Sequence, residues 1–264
     1  MEDRISVSTV DGVADVRLAR GDKMNALDAA MFDALVNTAE RLQYQKGLRA
    51  VVLSGEGPAF CAGLDTSRFA AMSGGGETKL RDLAARTHGL ANHSQQAVWG
   101  WRKLPVPVIA AIHGVAFGGG FQLALGADMR FLAPDTRMSI MEIKWGLVPD
   151  MAGTPILSQL VRDDILRELT YTGRVFSAQE AMTFGIATRI CNDPRSEALE
   201  MAREIATKSP DAIRAIKRLL NNLSVDPGPA LLAESVEQMK LMGSSNQTEA
   251  VRANVEKRVP NFKD

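Results

Sequence analysis

Residues 106–126, which read VPVIAAIHGVAFGGGFQLALG, constrain the fold more than any other stretch of the chain. Residues 106–112 form a short and almost wholly apolar run, which is typical of a strand buried on both faces of a sheet. Three consecutive glycines follow at 118–120, and Phe121 begins a predicted helix. A glycine turn between a strand and a helix directs backbone N–H groups at whatever lies above the turn, and no Cβ atom blocks the approach. The structural alternative is that the glycines only let helix and strand pack closely.

The surrounding pattern predicts an α/β protein. Ile5–Val10 and Val13–Leu18 alternate around Asp11-Gly12, which indicates a β-hairpin. Strands are also predicted at residues 49–54, 128–132, 137–140 and 187–191, and helices from Asn25, over 80–103 with a break at Gly89, over 163–172 and from Ser177. Residues 66–79 read as a mobile loop that, with the 80–103 helix, shapes a pocket. Strands that alternate with helices, followed by helices alone, predict a core over 1–194 and a helical region over 195–264.

Composition excludes several classes of function. The 264 residues carry a formal net charge of zero, so nothing indicates a nucleic-acid or anionic-membrane partner. Cys61 and Cys191 form no CxxC pair, and the three histidines have no metal-ligand spacing, so no metal site is expected. Neither a signal peptide nor a membrane-spanning run is evident, and we expect a cytoplasmic protein.

A second glycine turn follows the strand at 49–54. It reads AFCAGLD over residues 59–65. If the fold brings the two turns together, one N–H from each converges on a single oxygen and forms an oxyanion hole. Losing one such donor typically costs about 3–4 kcal/mol in rate. The sequence alone does not show that the turns meet, so this pairing is a hypothesis.

Two carboxylates are candidates for proton transfer. Glu142 is the only carboxylate in the apolar stretch 138–147, where burial favours a general base. The alternative is that Glu142 pairs with Lys144 or with an arginine elsewhere. Asp150 follows Pro149 in a turn, where aspartate commonly bonds the local backbone, and it is equally a candidate for a second proton carrier.

The remaining candidates are weaker. Cys61 fits a small buried thiol better than a nucleophile, and His113 fits a hydrogen-bonded structural residue. The chain has no G-x-S-x-G elbow, and its GGG is neither a Walker loop nor a G-x-G-x-x-G. Trp145, like the other two tryptophans, fits core or subunit packing better than a ligand platform, although it adjoins the Glu142 segment.

Five segments together resemble the crotonase superfamily, the enoyl-CoA hydratase/isomerase family, over essentially the whole chain. They are KMNAL at 23–27, AFCAGLD at 59–65, residues 107–131, MEIKWGLVPDMAGT at 141–154 and EKRVPNFKD at 256–264. The resemblance implies a crotonase-like spiral of repeated ββα units, a C-terminal helical region for trimerisation, and a homotrimer or homohexamer. It also implies acyl-CoA substrates and no separate cofactor, because coenzyme A is part of the substrate.

The resemblance also assigns roles by position. Ala62 and Gly119 match the two oxyanion donors, and Glu142 matches the catalytic glutamate. Contacts with the substrate or its coenzyme A are implied or expected at a wider set of residues: Lys23, Phe60, Ala62, Gly63, Leu64, Asp65, Gly118, Gln122, Trp145, Phe262 and Lys263.

One position departs from the pattern of the hydratases. These enzymes carry a glutamate two residues after the GGG, where this chain has Gln122, and they split water with two carboxylates. Asp150 matches the position of a catalytic aspartate in the dienoyl-CoA isomerases, although those enzymes also have an acid at the Gln122 position. We therefore favour double-bond isomerisation slightly. Hydration, and acyl-CoA binding without catalysis, stay open.

Overall fold

A six-stranded sheet forms the centre of the fold, and a three-stranded sheet lies beside it. The computed structural model describes residues 4–67, 82–208, 210–221, 232, 235–236, 238–239 and 242–258. The strands are β1 (Ile5–Val10), β2 (Val13–Leu18), β3 (Ala50–Gly55), β4 (Val108–Ile112), β5 (Val115–Phe117), β6 (Met129–Leu132), β7 (Arg137–Ser139), β8 (Phe176–Ser177) and β9 (Arg189–Ile190). The helices are α1 (Ala29–Gln43), α2 (His93–Arg102), α3 (Gly119–Leu125), α4 (Gly153–Leu157), α5 (Asp163–Thr172), α6 (Ala178–Thr183), α7 (Pro194–Ala206), α8 (Pro210–Asn221) and α9 (Ser245–Val255).

The large sheet has the order β1-β2-β3-β4-β6-β9. The β1–β2 hairpin is antiparallel, as its Asp-Gly turn predicts, and every later pair in this sheet is parallel. All five side chains of β4 are buried, because helices cover both faces of the sheet. Val51 and Leu53 belong to the main hydrophobic cluster, whereas Ala50 and Val52 face α7. The α/β fold class is therefore confirmed.

The small sheet, in the order β5-β7-β8, carries the chain into the GGG turn. Strand β5 ends at Phe117 and α3 begins two residues later, at Gly119. The predicted glycine turn and helix are present, but the helix begins at Gly119 rather than Phe121. The strand before the turn is β5, which is not among the predicted strands, whereas the strand predicted at 106–112 is β4 of the large sheet.

Two further predicted helix boundaries are wrong. Helix α1 begins at Ala29 rather than Asn25, because Met24 and Asn25 adopt left-handed φ angles of 48° and 54°. The buried Asn25 amide bonds the carbonyls of Glu56 and Ala59 at 2.9 Å each. Within the predicted 80–103 helix only α2 forms in the described part of the chain, and residues 68–81 lie outside it. The Asn92–Gln95 capping box that begins α2 is visible in the sequence.

The C-terminal helices are present where they are described. Helix α7 packs against four strands of the large sheet, through residues that include Ala198 and Ala202. The division of the chain at residue 194 and the trimerisation role of the helices stay predictions. None of the helices in the described ranges is long and apolar enough to cross a membrane.

Candidate active site

The two glycine turns lie side by side, as the oxyanion hypothesis requires. The Cys61 N–H donates to the Val115 carbonyl and the Phe117 N–H donates to the Cys61 carbonyl, both at 3.1 Å. Gly63 has a φ of +90°, and a Cβ placed there would lie 2.5 Å from the Phe117 oxygen and 3.6 Å from the Gly119 nitrogen. Only glycine allows this approach. The backbones of the turns therefore converge.

The structure changes the choice of donor in the first turn. The Ala62 N–H already donates to the Met24 carbonyl at 2.9 Å, so the predicted role of Ala62 as an oxyanion donor does not fit. Residues 63–65 pair with Leu27 as in a parallel sheet, and the Leu27 N–H donates to the Gly63 carbonyl at 2.8 Å. The Leu64 N–H takes no part in this pairing and has no hydrogen-bond partner among the described residues. The Gly63 N–H is directed at the Cys61 sulfur, so Leu64 is the available donor of this turn.

In the second turn the available donor is the predicted one. The Gly118 N–H donates to the Ser139 carbonyl at 3.0 Å. Gly119 is the first residue of α3, and its N–H has no acceptor in the described ranges, as expected at the start of a helix. A Cβ on Gly119 would lie 2.8 Å from Leu27 Cδ1 and 2.9 Å from Met151 Sδ, so a side chain here would have to displace the ends of these two side chains.

Glu142 lies over the second turn. It begins a short 3₁₀ helix, Glu142–Trp145, which ends at Gly146 with a left-handed φ of 69°. A Cβ on Gly118 would be 3.4 Å from Glu142 Oε1, so the carboxylate faces the glycine turn at van der Waals distance. Helices α5 and α9 both pack against this 3₁₀ helix and hold the glutamate in place.

The side chain of Gln122 fixes one oxygen of Glu142. The Gln122 Oε1 atom accepts hydrogen bonds from the Met151 N–H at 2.9 Å and the Gly153 N–H at 3.0 Å. These two donors set the orientation of the amide, so its NH₂ group must face the glutamate. Gln122 Nε2 donates to Glu142 Oε1 at 2.7 Å. Gln122, which is 1% exposed, therefore positions Glu142 from behind.

The alternative ion pair between Glu142 and Lys144 does not form in the described structure. The Lys144 ammonium instead lies 5.4 Å from the centroid of the Trp145 ring, on the same 3₁₀ helix. Such a cation–π contact is worth about 0.5–1 kcal/mol at an exposed site. Lys144 is therefore not the partner of this carboxylate.

A cavity of about 190 Å³ opens between the turns and Glu142. Its lining includes eight of the predicted site residues, which are Ala62, Gly63, Leu64, Gly118, Gly119, Glu142, Trp145 and Asp150. It also includes residues that sequence reasoning missed, among them Phe32, Ser94, Gln238 and Met242. No local signal marks these positions, because distant segments bring them to the cavity.

Asp65 braces the first turn instead of lining the cavity. Its carboxylate accepts from Arg20 Nη1 at 2.5 Å and from Ser67 Oγ at 2.7 Å. The Ser67 and Arg20 hydrogen bonds lower the pKa of Asp65 to about 2. Asp65 therefore holds the shape of the segment that presents Leu64.

The expected coenzyme A contacts lie at the edge of this region or outside it. Lys23 is exposed next to Met24, which bonds the first turn. The side chain of Phe60 is fully buried, and its N–H donates to the His113 carbonyl at 2.9 Å. Phe262 and Lys263 lie outside the described residues. The contribution of these residues to binding stays a prediction.

Two predicted structural residues are confirmed as such. The Cys61 thiol is fully buried and donates to the Asn25 carbonyl at 3.1 Å, and burial raises its pKa to about 12. His113 Nε2 lies 2.9 Å from the Gly57 carbonyl oxygen. In the described ranges no three His, Cys, Asp or Glu side chains are grouped so that they could hold a metal ion.

Comparisons with known proteins show the family of the chain. The model of the enoyl-CoA hydratase/isomerase family matches residues 8–264. The carnitinyl-CoA dehydratase of Proteus mirabilis (strain HI4320) is 33% identical over 271 residues, covering 100% of this chain and 99% of that protein. The mitochondrial Delta(3,5)-Delta(2,4)-dienoyl-CoA isomerase of Mus musculus is 31% identical, covering 93% of this chain and 77% of that protein.

A solved structure extends the likeness to the fold. The enoyl-CoA hydratase/isomerase from Mycobacterium paratuberculosis superimposes with a TM-score of 0.86 at 24% identity, covering 96% of this chain and 98% of that one. The chain therefore belongs to the enoyl-CoA hydratase/isomerase family, with the crotonase fold. It is an acyl-CoA enzyme of the hydratase/isomerase type.

Proposed function

We propose that this enzyme isomerises the double bond of an enoyl-CoA thioester, with Glu142 as the proton carrier. The observation that carries the proposal is the Gln122 amide. Its oxygen is held by two backbone N–H groups and its nitrogen donates to Glu142 at 2.7 Å. An amide cannot exchange a proton as a carboxylate does. Glu142 therefore acts without a second carboxylate at that position to position and split water.

Isomerisation needs one base and one enolate site. Glu142 removes a proton from C2 of a 3-enoyl thioester, and the electron pair moves onto the thioester oxygen. The N–H groups of Leu64 and Gly119 hold that oxyanion. Glu142 then returns its proton to C4 as the C2–C3 double bond forms. The product has the mass of the substrate, because the proton removed from C2 is returned at C4. No separate cofactor is needed, since coenzyme A is part of the substrate.

Asp150 extends the proposal to conjugated substrates. It lines the same cavity as Glu142, eight positions further along the chain. A base at one end of a diene and an acid at the other shift two double bonds together. The similarity to a protein named as a dienoyl-CoA isomerase supports dienoyl-CoA thioesters as the second substrate class.

Hydration is the alternative function. The carnitinyl-CoA dehydratase relative favours it, because dehydration is the reverse of hydration. Acyl-CoA binding without catalysis is disfavoured because both converging turns and Glu142 are present. Isomerisation, hydration and binding without catalysis each predict a different outcome when the protein is given the same thioester.

The test is incubation of the purified protein with crotonyl-CoA, a 3-enoyl-CoA and a 3,5-dienoyl-CoA, followed by ultraviolet absorbance and mass spectrometry. We expect a shift of conjugation at unchanged mass. A gain of one water on crotonyl-CoA at a comparable rate would replace isomerisation with hydration. Tight binding with no product would leave only the binding function.

Substitution of Glu142 tests the residue itself. Glu142→Gln keeps the size of the side chain but removes the proton carrier, so we expect turnover to fall by about 10²–10⁴-fold. The melting temperature is the control, since it separates lost chemistry from lost folding. Unchanged turnover of all the enoyl-CoA substrates would exclude Glu142 as the base.

We also propose that the chain assembles into a homotrimer or homohexamer in the cytoplasm. Helix α8 leaves Ile216 and Leu220 51% and 60% exposed, four residues apart on one face. A neighbouring subunit would cover this apolar face. Light scattering after gel filtration should give three or six times the 28.5 kDa of one chain. A monomer mass would contradict the proposal.

A further inference from the structure

One wall of the active-site cavity is assembled from three segments that the Asn92 side chain holds together. Asn92 Nδ2 donates to the Leu83 carbonyl at 2.9 Å and to Ser235 Oγ at 2.8 Å. Its Oδ1 accepts from the Gln95 N–H at 2.8 Å and so begins α2. Asn92 is 3% exposed. The cavity side of this wall presents Leu83, Ser94 and Gln238.

Gln238 presents an unused donor to the cavity. Its side chain is 5% exposed, and its Oε1 accepts from the Val148 N–H at 3.3 Å. That bond assigns the amide orientation and leaves the NH₂ group on the other side. Nothing in the described part of the chain accepts a hydrogen bond from this group. Because the Gln238 residue lines the cavity and is otherwise buried, this NH₂ group is available to an acceptor on a ligand bound there.

Ser94 presents a second unused donor to the same cavity. It is half-buried and is the second residue of α2, a ten-residue helix. No hydrogen bond of its hydroxyl is formed with any described residue. Gln238 follows Ser235 by one helical turn and Ser94 follows Asn92 by two residues, so the Asn92–Ser235 bond brings the two donors to the same wall. The first turn of a helix adds a positive potential there.

Apolar side chains in the lining of the cavity make the Ser94 and Gln238 donors important for the choice of acyl group. Among the described residues the lining also includes Thr66 and several apolar side chains, such as Phe32, Leu83 and Met242. A plain hydrocarbon chain would cover the Ser94 hydroxyl and the Gln238 amide and leave both without water or partner. An acyl group with an oxygen at this point would satisfy both. Apolar walls with a few placed polar groups are typical of a selective ligand site.

We propose that the acyl pocket selects thioesters whose chain carries a hydrogen-bond-accepting oxygen, a hydroxyl or a carboxylate, which Ser94 and Gln238 recognise. The proposal rests on the proposed function in that it assumes an acyl-CoA in this cavity. It adds the chemical class of the acyl group. Sites built to bond an oxygen discriminate strongly against analogues without it, because their donors are then left unpaired.

The test is a binding measurement that does not depend on turnover. Calorimetry compares three saturated thioesters of equal chain length: pentanoyl-CoA, 5-hydroxypentanoyl-CoA and glutaryl-CoA. We expect at least one oxygenated thioester to bind about tenfold or more tightly than pentanoyl-CoA. Preference for the hydroxy compound identifies a neutral oxygen, and preference for glutaryl-CoA identifies a carboxylate. Equal affinities, including no binding of any of the three, would overturn the proposal.

Two variants assign the preference to the donors. Ser94→Ala and Gln238→Met remove them at similar volume and should each lower the affinity ratio about fivefold, with the affinity for pentanoyl-CoA unchanged. Ser54→Ala and Gln96→Met are matched controls, since both side chains are buried away from the cavity lining. An equal loss for all three thioesters would also overturn the proposal. Selective binding without turnover of any enoyl-CoA would refute only the proposed reaction.

Discussion

Gln122→Glu is the substitution that most directly tests why this enzyme should not hydrate. The new carboxyl can keep the Gln122 oxygen and its bonds from the Met151 and Gly153 N–H groups. What changes is the atom 2.7 Å from Glu142 Oε1, which becomes an oxygen instead of an NH₂ group. Two carboxylates at that distance repel by about 6 kcal/mol at an effective dielectric constant of about 20. One proton therefore stays on the pair at neutral pH, and an O–H···O bond replaces the N–H···O bond.

The expected result follows from that shared proton. The net charge of the site does not change, so the melting temperature should stay close to that of the parent enzyme. The pair can now orient a water and exchange protons with it, and we expect hydration of crotonyl-CoA to rise by at least about 10²-fold. The assay is loss of enoyl absorbance together with a mass gain of one water.

The double variant Gln122→Glu/Glu142→Gln is the matched control. It keeps one carboxyl and one amide in the site but exchanges their positions, so it should not hydrate. If a well-folded Gln122→Glu protein hydrates crotonyl-CoA no faster than the parent enzyme, the Gln122 amide is not what prevents hydration. If the parent enzyme already hydrates as fast as the variant, the same conclusion follows.

Two further predictions concern the framework of the site. The pKa of Asp65 is lowered from 3.8 to about 2, so its carboxylate stabilises the fold above pH 4, and this contribution is lost as the pH falls towards 2. The urea midpoint of Asp65→Asn should therefore fall less steeply with acid than that of the parent protein. Parallel curves of urea midpoint against pH would contradict the role assigned to Asp65. Lys217→Met breaks a buried 2.8 Å ion pair with Asp128 and should lower the free energy of unfolding by about 2–4 kcal/mol. The control Lys208→Met removes an exposed ion pair with Glu204 and should change the free energy of unfolding by less than about 1 kcal/mol. Equal effects of the two substitutions would contradict the argument from burial.

Local sequence rules predict the parts of this fold that local physics decides. The Asp11-Gly12 hairpin and the Ser177 capping box form as predicted because their few residues fix the backbone. The start of α1 does not follow its apolar periodicity. The buried Asn25 amide holds the turn at residues 56–59, and this tertiary bond outweighs helix propensity.

The oxyanion donors show the same division within the candidate site. The family resemblance predicts Gly119, and the structure agrees, because Gly119 begins α3 and the first N–H of a helix has no partner within the helix. In the first turn the resemblance assigns Ala62, which the structure contradicts, and local sequence rules do not rank the three consecutive N–H groups of residues 62–64. The choice depends on Met24, which takes the Ala62 N–H, and on Leu27, whose pairing leaves the Leu64 N–H on the opposite side. That pairing joins segments almost forty residues apart, so only the assembled fold reveals which donor faces the substrate.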